Sequence, residues 1–213
     1  MNVETGRTTV GVVILGAGAS TRMGGPKLLL PWGATTVLGH LLEQWGRLAV
    51  AQVAIVLAAG ARAVAGELDR LGVDPGWRIT NPHPGQGMFS SVRCAARWAG
   101  WKPDLTHWVI ALGDQPHLRA ETLQALLDYG RAHPQQICQP ARNGRARHPV
   151  WLPKALFAQL ADAPAASLKQ FLAACGVAVA RFESADPGLD LDLDTPAEYA
   201  RARQLVDRPS VDR

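Results

Sequence analysis

The sequence predicts an α/β fold, a central and mostly parallel sheet with helices on both faces. Two observations predict it. Short apolar runs alternate along the chain with segments whose apolar residues recur at helical spacing, as strand–helix–strand units require. The first of these runs, Val10–Leu15, feeds directly into a glycine-rich segment, and ligands in such sheets sit beyond the carboxyl ends of the strands.

Each element follows from its own residues. Val10–Leu15, Val53–Ala58, Trp108–Leu112 and Val177–Phe182 are strands bounded by Gly, Pro or polar residues. Val37, Leu38, Leu41, Leu42, Trp45 and Leu48 mark one helical face, opened by Thr35 and Thr36. Val64, Leu68 and Leu71 mark a second, and Met88, Val92, Ala95, Ala96 and Ala99 a third. Leu123, Leu126 and Leu127 mark a fourth. The Pro/Ala stretch at 162–166 separates two short helices inside the domain. Thr195, Pro196 and Glu198 form a capping box that opens the last helix. The loops after Leu15, Thr80 and Leu112 are expected to gather on one edge. No repeat or linker divides the chain, so 1–213 reads as one domain, with polar, frayed ends at 1–8 and 207–213.

Composition narrows the function classes. The chain has 213 residues, 47% hydrophobic and 19% charged, with a net charge of +4. That basic excess suits an anionic small substrate and is too mild for nucleic acid. The seven tryptophans are irregularly spaced and read as packing residues. Cys94, Cys138 and Cys175 lack metal-ligand spacing and read as reduced thiols. With no leader-like segment and no membrane-length apolar run, the expected compartment is the cytoplasm, without membrane association.

Residues 15–27 are the most informative stretch. Leu15, Gly16, Ala17, Gly18, Ala19 and Ser20 make a turn rich in bare amides, and Arg22 and Lys27 add two cations. Such a loop after a buried strand suits a polyphosphate, and a nucleoside triphosphate is the expected ligand. The Gly-x-x-x-x-Gly-Lys-Ser/Thr string is absent, and Gly16-x-Gly18 lacks the third glycine of a dinucleotide fingerprint.

Other segments add chemistry. Asp114 follows the run Val109–Leu112, where it would serve either as a Mg²⁺ ligand beside a triphosphate or as a turn or helix-capping residue. Asp190, Asp192 and Asp194 alternate with leucines, so an extended segment places all three on one face. Such carboxylates repel unless neutralised, and either Asp192 or Asp194 would meet the metal. Asn81 opens a Gly/Pro-rich loop that ends at Ser90 and Ser91, in the first turn of a helix, where an anion or base edge would dock. Arg142, Arg145, Arg147 and His148 precede Pro149-Val150. They suit an acceptor that carries phosphate, or else form a solvated hairpin tip.

These motifs together resemble a family. Residues 15–27 match the nucleotidyltransferase signature Leu-x-x-Gly-x-Ser-x-Arg-Met-Gly-x-x-Lys at every fixed position. Gly113-Asp114-Gln115-Pro116, the Asn81 to Ser91 loop, His148-Pro149-Val150 and Asp192 to Tyr199 resemble the molybdenum cofactor cytidylyltransferases. The similarity spans roughly residues 10–203. It implies a Rossmann-like nucleotidyltransferase three-layer fold and a Mg²⁺-dependent transfer of CMP from CTP to the terminal phosphate of molybdopterin, with release of pyrophosphate. A transient handover to a molybdenum hydroxylase or its chaperone is also implied. Ala17 follows the cytidylyl pattern, whereas Gly16 stands where that pattern has alanine and Arg147 where it has glycine.

On this reading the amides of Ala17 to Thr21 cradle phosphates, Arg22 and Lys27 offset charge, and Asp114 with Asp192 or Asp194 holds Mg²⁺. Leu15, Gly16, Asn81 and Ser91 complete the nucleotide site, and Arg145, Arg147 and His148 face the acceptor. Rival readings are a guanylyltransferase using GTP, a transferase for a sugar phosphate, a molybdopterin carrier, or a nicotinamide-dependent oxidoreductase. The last needs an acid about twenty residues after the loop, at the end of the second strand. Glu43 falls in a helix instead.

Overall fold

The computed structural model describes residues 8–207, so the expected fraying of both ends lies almost wholly outside the described residues. The chain opens with β1 (Val10–Leu15), a small pair β2 (Pro31–Trp32) and β3 (Thr35–Thr36), and α1 (Val37–Gly46). β4 (Gln52–Ala58), α2 (Arg62–Arg70), β5 (Arg78–Asn81), α3 (Met88–Arg97), β6 (His107–Leu112) and α4 (Ala120–Ala132) follow. Then come β7 (Ile137–Arg142), β8 (Arg145–Ala146), β9 (Val150–Pro153), α5 (Lys154–Gln159), α6 (Leu168–Ala174), β10 (Val179–Glu183) and α7 (Pro196–Asp207).

One sheet runs β10-β7-β9-β6-β1-β4-β5, with β8 added to β7. β1 is parallel to β4 and β6, β4 to β5, and β7 to β10. Only β9, flanked by β6 and β7, and the short β8 are antiparallel to their neighbours in this sheet. β7 therefore points the same way as β6, and its end reaches the same edge. The sequence places β1, β4, β6 and β10 within one or two residues of their observed bounds.

β1 explains why an unbroken apolar run makes a strand. Val12 and Ile14 pack under α1, α2 and α4, while Val13 and Leu15 pack on α3, α5 and α6. Both faces are covered, so every residue of the strand is buried. Burial contributes about 1.5–3 kcal/mol per large apolar side chain. The tryptophans serve the same end: Trp32, Trp45, Trp108 and Trp151 are buried, and Trp101 packs edge-on against Trp108. Thr36 caps α1 by accepting a hydrogen bond from the Gly39 amide at 3.1 Å. The three cysteines are unpaired.

Connections leave β1 toward β4 on one side, and the later strand β6 lies on the other. This reversal opens a crevice at the carboxyl ends of β1 and β6, where ligands of open α/β sheets bind. Among the described residues, no helix is long and apolar enough to cross a membrane.

Candidate active site

The end of β1 is built by close approach. The Gly16 amide donates to the Val56 carbonyl at 2.8 Å, so it is not available to a ligand. A Cβ at Gly16 would lie 3.0 Å from Leu28 and 3.2 Å from the Val56 carbonyl oxygen. Gly113 is tighter, since its Cβ would stand 2.7 Å from the Leu15 oxygen. Its amide donates to that oxygen at 3.0 Å, which fastens the β6 exit to the β1 exit.

Beyond Gly16 the loop turns outward. The amides of Ala17, Gly18, Ala19 and Ser20 have no partner among the described residues. Ser20 sits in the left-handed region at φ 51°, and its Oγ accepts from the Lys27 amide at 3.2 Å. That bond ties the two ends of the loop and delivers Lys27 inward. Lys27 Nζ donates to Asp114 Oδ2 at 2.7 Å and Asp194 Oδ1 at 3.1 Å. Arg22 donates to Asp194 Oδ2 at 2.7 Å.

The charges in this cluster are unevenly matched. Burial alone would lower the Lys27 pKa, but the charge of Asp114 and the hydrogen bonds to Asp114 and Asp194 hold it above its ordinary value. Asp194 is held low, because bonds and charge from Lys27 and Arg22 outweigh its burial. Asp192 is pushed up, first by burial and then by the negative charge of Asp114. Its hydrogen bond from Gln115 Nε2 at 2.9 Å does not offset this. Asp114 Oδ1 is buried without a hydrogen-bond partner.

The expected three-carboxylate face is therefore split. Asp190 turns away to Arg142 (3.0 Å) and Arg147 (2.8 Å). Asp194 is occupied by two cations, and Asp192 is the carboxylate set beside Asp114. Regular extended structure does not hold across this run: Pro187–Asp190 is a 3₁₀ turn, so alternation sets burial without aiming all three side chains together. Among the described residues, no three His, Cys, Asp or Glu side chains are grouped to hold a metal alone. Two carboxylates, with phosphate oxygens and water, suffice for magnesium.

A cleft of about 730 Å³ opens between these walls. Leu15 to Ser20, Lys27, Ser91, Asp114 and Asp192 line it, whereas Arg22, Asn81 and Asp194 do not. The Asn81 side chain is 1% exposed and donates to Ser90 and Ser91 at 2.8 and 2.9 Å, while its Oδ1 accepts from the His83 amide. Asn81 therefore fixes the loop, and lies outside the main cleft. Ala58, Gly60, Ala61 and Arg62 also line the cleft. They lie at the end of β4 and the start of α2, and the run Ala58-Ala59-Gly60-Ala61 carries no chemical marker in the sequence. Arg62 is exposed and has no ion-pair partner among the described residues.

The residues expected to face an acceptor divide as well. Asn143-Gly144 forms the two-residue turn of the β7–β8 hairpin, with φ of 51° and 71°, as a tight hairpin demands. Arg145 is exposed at its tip, whereas Arg147 is bound to Asp190. His148 lines neither the main cleft nor the hollow beside the hairpin; burial lowers its pKa against the Asp114 charge, and its Nδ1 is buried without a hydrogen-bond partner among the described residues. A separate hollow of about 530 Å³ is lined by Asn143, Arg145, Arg147 and Asp190.

The fold and site thus define an α/β domain whose cleft, at the sheet's switch point, sets bare loop amides and a lysine against carboxylates. The chain belongs to the MobA-like NTP transferase domain family, whose model matches residues 12–180. It is similar, at 25% identity over 92% of this chain and 97% of the relative, to a molybdenum cofactor cytidylyltransferase from Escherichia coli K12. A molybdenum cofactor guanylyltransferase from Rhizobium johnstonii is 31% identical over 65% of this chain and 60% of its own length. Nicotine blue oxidoreductase from Paenarthrobacter nicotinovorans is 36% identical over 54% of each chain. The match to a bifunctional GlmU protein from Cereibacter sphaeroides spans 31% of that relative. Among solved structures, the manganese complex of Rv0371c from Mycobacterium tuberculosis H37Rv superposes with a TM-score of 0.69 at 27% identity, over 92% of this chain and 99% of that one.

Proposed function

We propose that this chain transfers CMP from CTP to the terminal phosphate of molybdopterin and releases pyrophosphate, with Mg²⁺ as cofactor. One observation carries the reading: the cleft sets unpaired loop amides and Lys27 against Asp114 and Asp192, and the Lys27 charge leaves Asp114 Oδ1 unpartnered and the Asp192 pKa raised. The relative named a molybdenum cofactor cytidylyltransferase, matched over nearly its whole length, supports the choice of CTP and acceptor. The manganese complex of a structural relative supports a divalent ion.

The residues present fit such an ion. Asp114 Oδ1 is buried and unpartnered, and Asp192 is pushed up first by burial and then by the charge of Asp114. Asp114 and Asp192 would hold Mg²⁺, which when bound neutralises phosphate charge. The amides of Ala17 to Ser20 donate to phosphate oxygens. Lys27 offsets charge on the α-phosphoryl group and the leaving pyrophosphate. Asp194 aims Lys27 and Arg22. Two anions approach each other in this reaction, so charge neutralisation dominates. No side chain has to take a proton, since a phosphate acceptor is already ionised. Arg145 is the exposed cation that the hairpin offers to the acceptor, and Arg62 stands free on the opposite wall.

The oxidoreductase reading is disfavoured by β4, which ends at Ala58 and runs on into Ala59 and Gly60. No carboxylate stands there to hold a ribose hydroxyl. Glu43 lies in α1 and pairs with Arg47 instead. Calorimetry with the four triphosphates and Mg²⁺ tests the nucleotide, with CTP expected to bind most tightly. Equal or tighter GTP binding overturns the base assignment and favours the guanylyl reading. Pyrophosphate release from CTP that requires molybdopterin tests the acceptor.

A further inference from the structure

The segment that carries Asp192 lies outside the sheet, and one loop holds it in place. That loop runs from Gly113 to Arg119, directly after β6. Asp186 is 3% exposed; its Oδ2 accepts from the Arg119 amide at 2.9 Å and the Thr122 hydroxyl at 2.8 Å. The Leu193 amide donates to the Asp114 carbonyl at 3.1 Å. Between these two anchors sits His117, also 3% exposed. Its Nε2 is 3.1 Å from the Gly188 oxygen and 2.9 Å from the Leu191 oxygen. Both are acceptors, so Nε2 carries the proton and donates to both. The fit is close, for a Cβ on Gly188 would stand 2.9 Å from His117 Cδ2.

The Leu191 carbonyl belongs to the peptide that joins Leu191 to Asp192. A donor on that oxygen fixes the peptide plane from which the Asp192 side chain departs. We propose that His117 is a positioning residue: its imidazole grips the Leu191–Asp192 peptide and so holds the Asp192 carboxylate against Asp114. One loop then carries both a carboxylate of the site and the donor that places the other. This rests on the reading that Asp114 and Asp192 hold a divalent cation. Partners that orient ligand carboxylates typically alter metal affinity by about 10–100-fold.

A second buried histidine provides the control. His107 opens β6 at the opposite end of the strand, and its Nε2 lies 2.8 Å from the Pro134 oxygen. Loss of either imidazole strands a buried carbonyl, but only His117 touches the acidic segment. Mn²⁺ alone is titrated into the nucleotide-free full chain, and free ion is followed by electron paramagnetic resonance. His117→Phe keeps a ring and removes the donor, and is expected to bind Mn²⁺ at least about tenfold more weakly. His117→Gln, whose amide reaches the same carbonyls, restores affinity to within about threefold. His107→Phe loses melting temperature and keeps wild-type affinity. If His117→Phe does not fold, His117→Asn, whose amide stops short of the two carbonyls, carries the same expectation. Unchanged affinity in the donor-less variant overturns the proposal, as does an equal loss in His107→Phe. Affinity lost in Asp114→Asn but kept in His117→Phe sinks this inference and leaves the metal reading standing. Failure of the wild type to bind Mn²⁺ both alone and with CTP present overturns both.

Discussion

Two carboxylates of the same Leu-Asp-Leu-Asp run meet opposite fates. Asp190 receives Arg142 and Arg147, and the Arg147 hydrogen bond holds its pKa low. Asp192, two residues on, receives an amide and a neighbouring carboxylate, and its pKa is pushed up. The first cluster is closed for its carboxylate: Asp190 is paired with two arginines of the chain. The second is open, since among the described residues no cation is hydrogen-bonded to Asp192, and the Lys27 charge does not offset its burial and the Asp114 charge. A fold bears that cost where a ligand brings the missing charge. The difference separates a structural ion-pair cluster from a site, although both lie on the same sheet edge.

The largest expected effect on this comparison comes from Lys27→Ala. Turnover should fall by about a hundredfold or more, since a charge that stabilises the transferring phosphoryl group is lost. The side chain also bridges Asp114 and Asp194, so the fold should lose about 1–2 kcal/mol. Rates of pyrophosphate release and urea unfolding measure the two parts separately. A wild-type rate removes Lys27 from the chemistry.

Acidification probes Asp192 and the ion-paired Asp190 and Asp194 with opposite signs. The Asp192 pKa is raised on folding, so this group favours the folded state more as pH falls through that raised value. Asp190 and Asp194 are held low, so the stability they contribute is present above the ordinary carboxylate range and is lost as pH falls through their depressed values. Melting temperature should therefore gain a contribution on mild acidification and fall on stronger acid. Asp192→Asn should abolish the first component alone. A profile identical to wild type would mean that neither burial nor the Asp114 charge raises the Asp192 pKa.

The smallest effect is expected at the closed cluster. Asp190→Asn frees two arginines on a solvated hairpin and should cost less than about 1 kcal/mol, because exposed pairs are weakly stabilising. Thermal unfolding measures it, and a larger loss would show that the hairpin is held mainly by this carboxylate.

The same contrast explains what the sequence reveals. Residues 15–27 are readable because glycines, Arg22 and Lys27 are chemically marked and sit directly after a buried strand. Thr36 and Thr195 are readable as caps because their bonds are local. β7 is missed because Pro140 interrupts its pattern; the strand tolerates it because pairing with β9 occurs only at Cys138. β5 has four residues and β9 has four, too few for a period to emerge. His117 and the tie from Asp186 to Thr122 are missed, and Gln115 is seen only as part of a motif, because the partners of all three lie 64 to 77 residues away. His148 and Asn81 do not line the main cleft, and the sequence does not show this: arginines beside His148 suggest a surface, and the bonds of Asn81 go to Ser90 and Ser91 of the next helix.

The most direct test compares the two clusters in one experiment. CTP binding is measured by calorimetry with and without Mg²⁺ for wild type, Asp114→Asn and Asp190→Asn. The open cluster predicts Mg²⁺-dependent binding that Asp114→Asn loses, because an amide keeps the shape and removes the charge a hard cation requires. It predicts wild-type binding for Asp190→Asn. Mg²⁺-dependent CTP binding that survives in Asp114→Asn, or is lost equally in Asp190→Asn, would contradict the account.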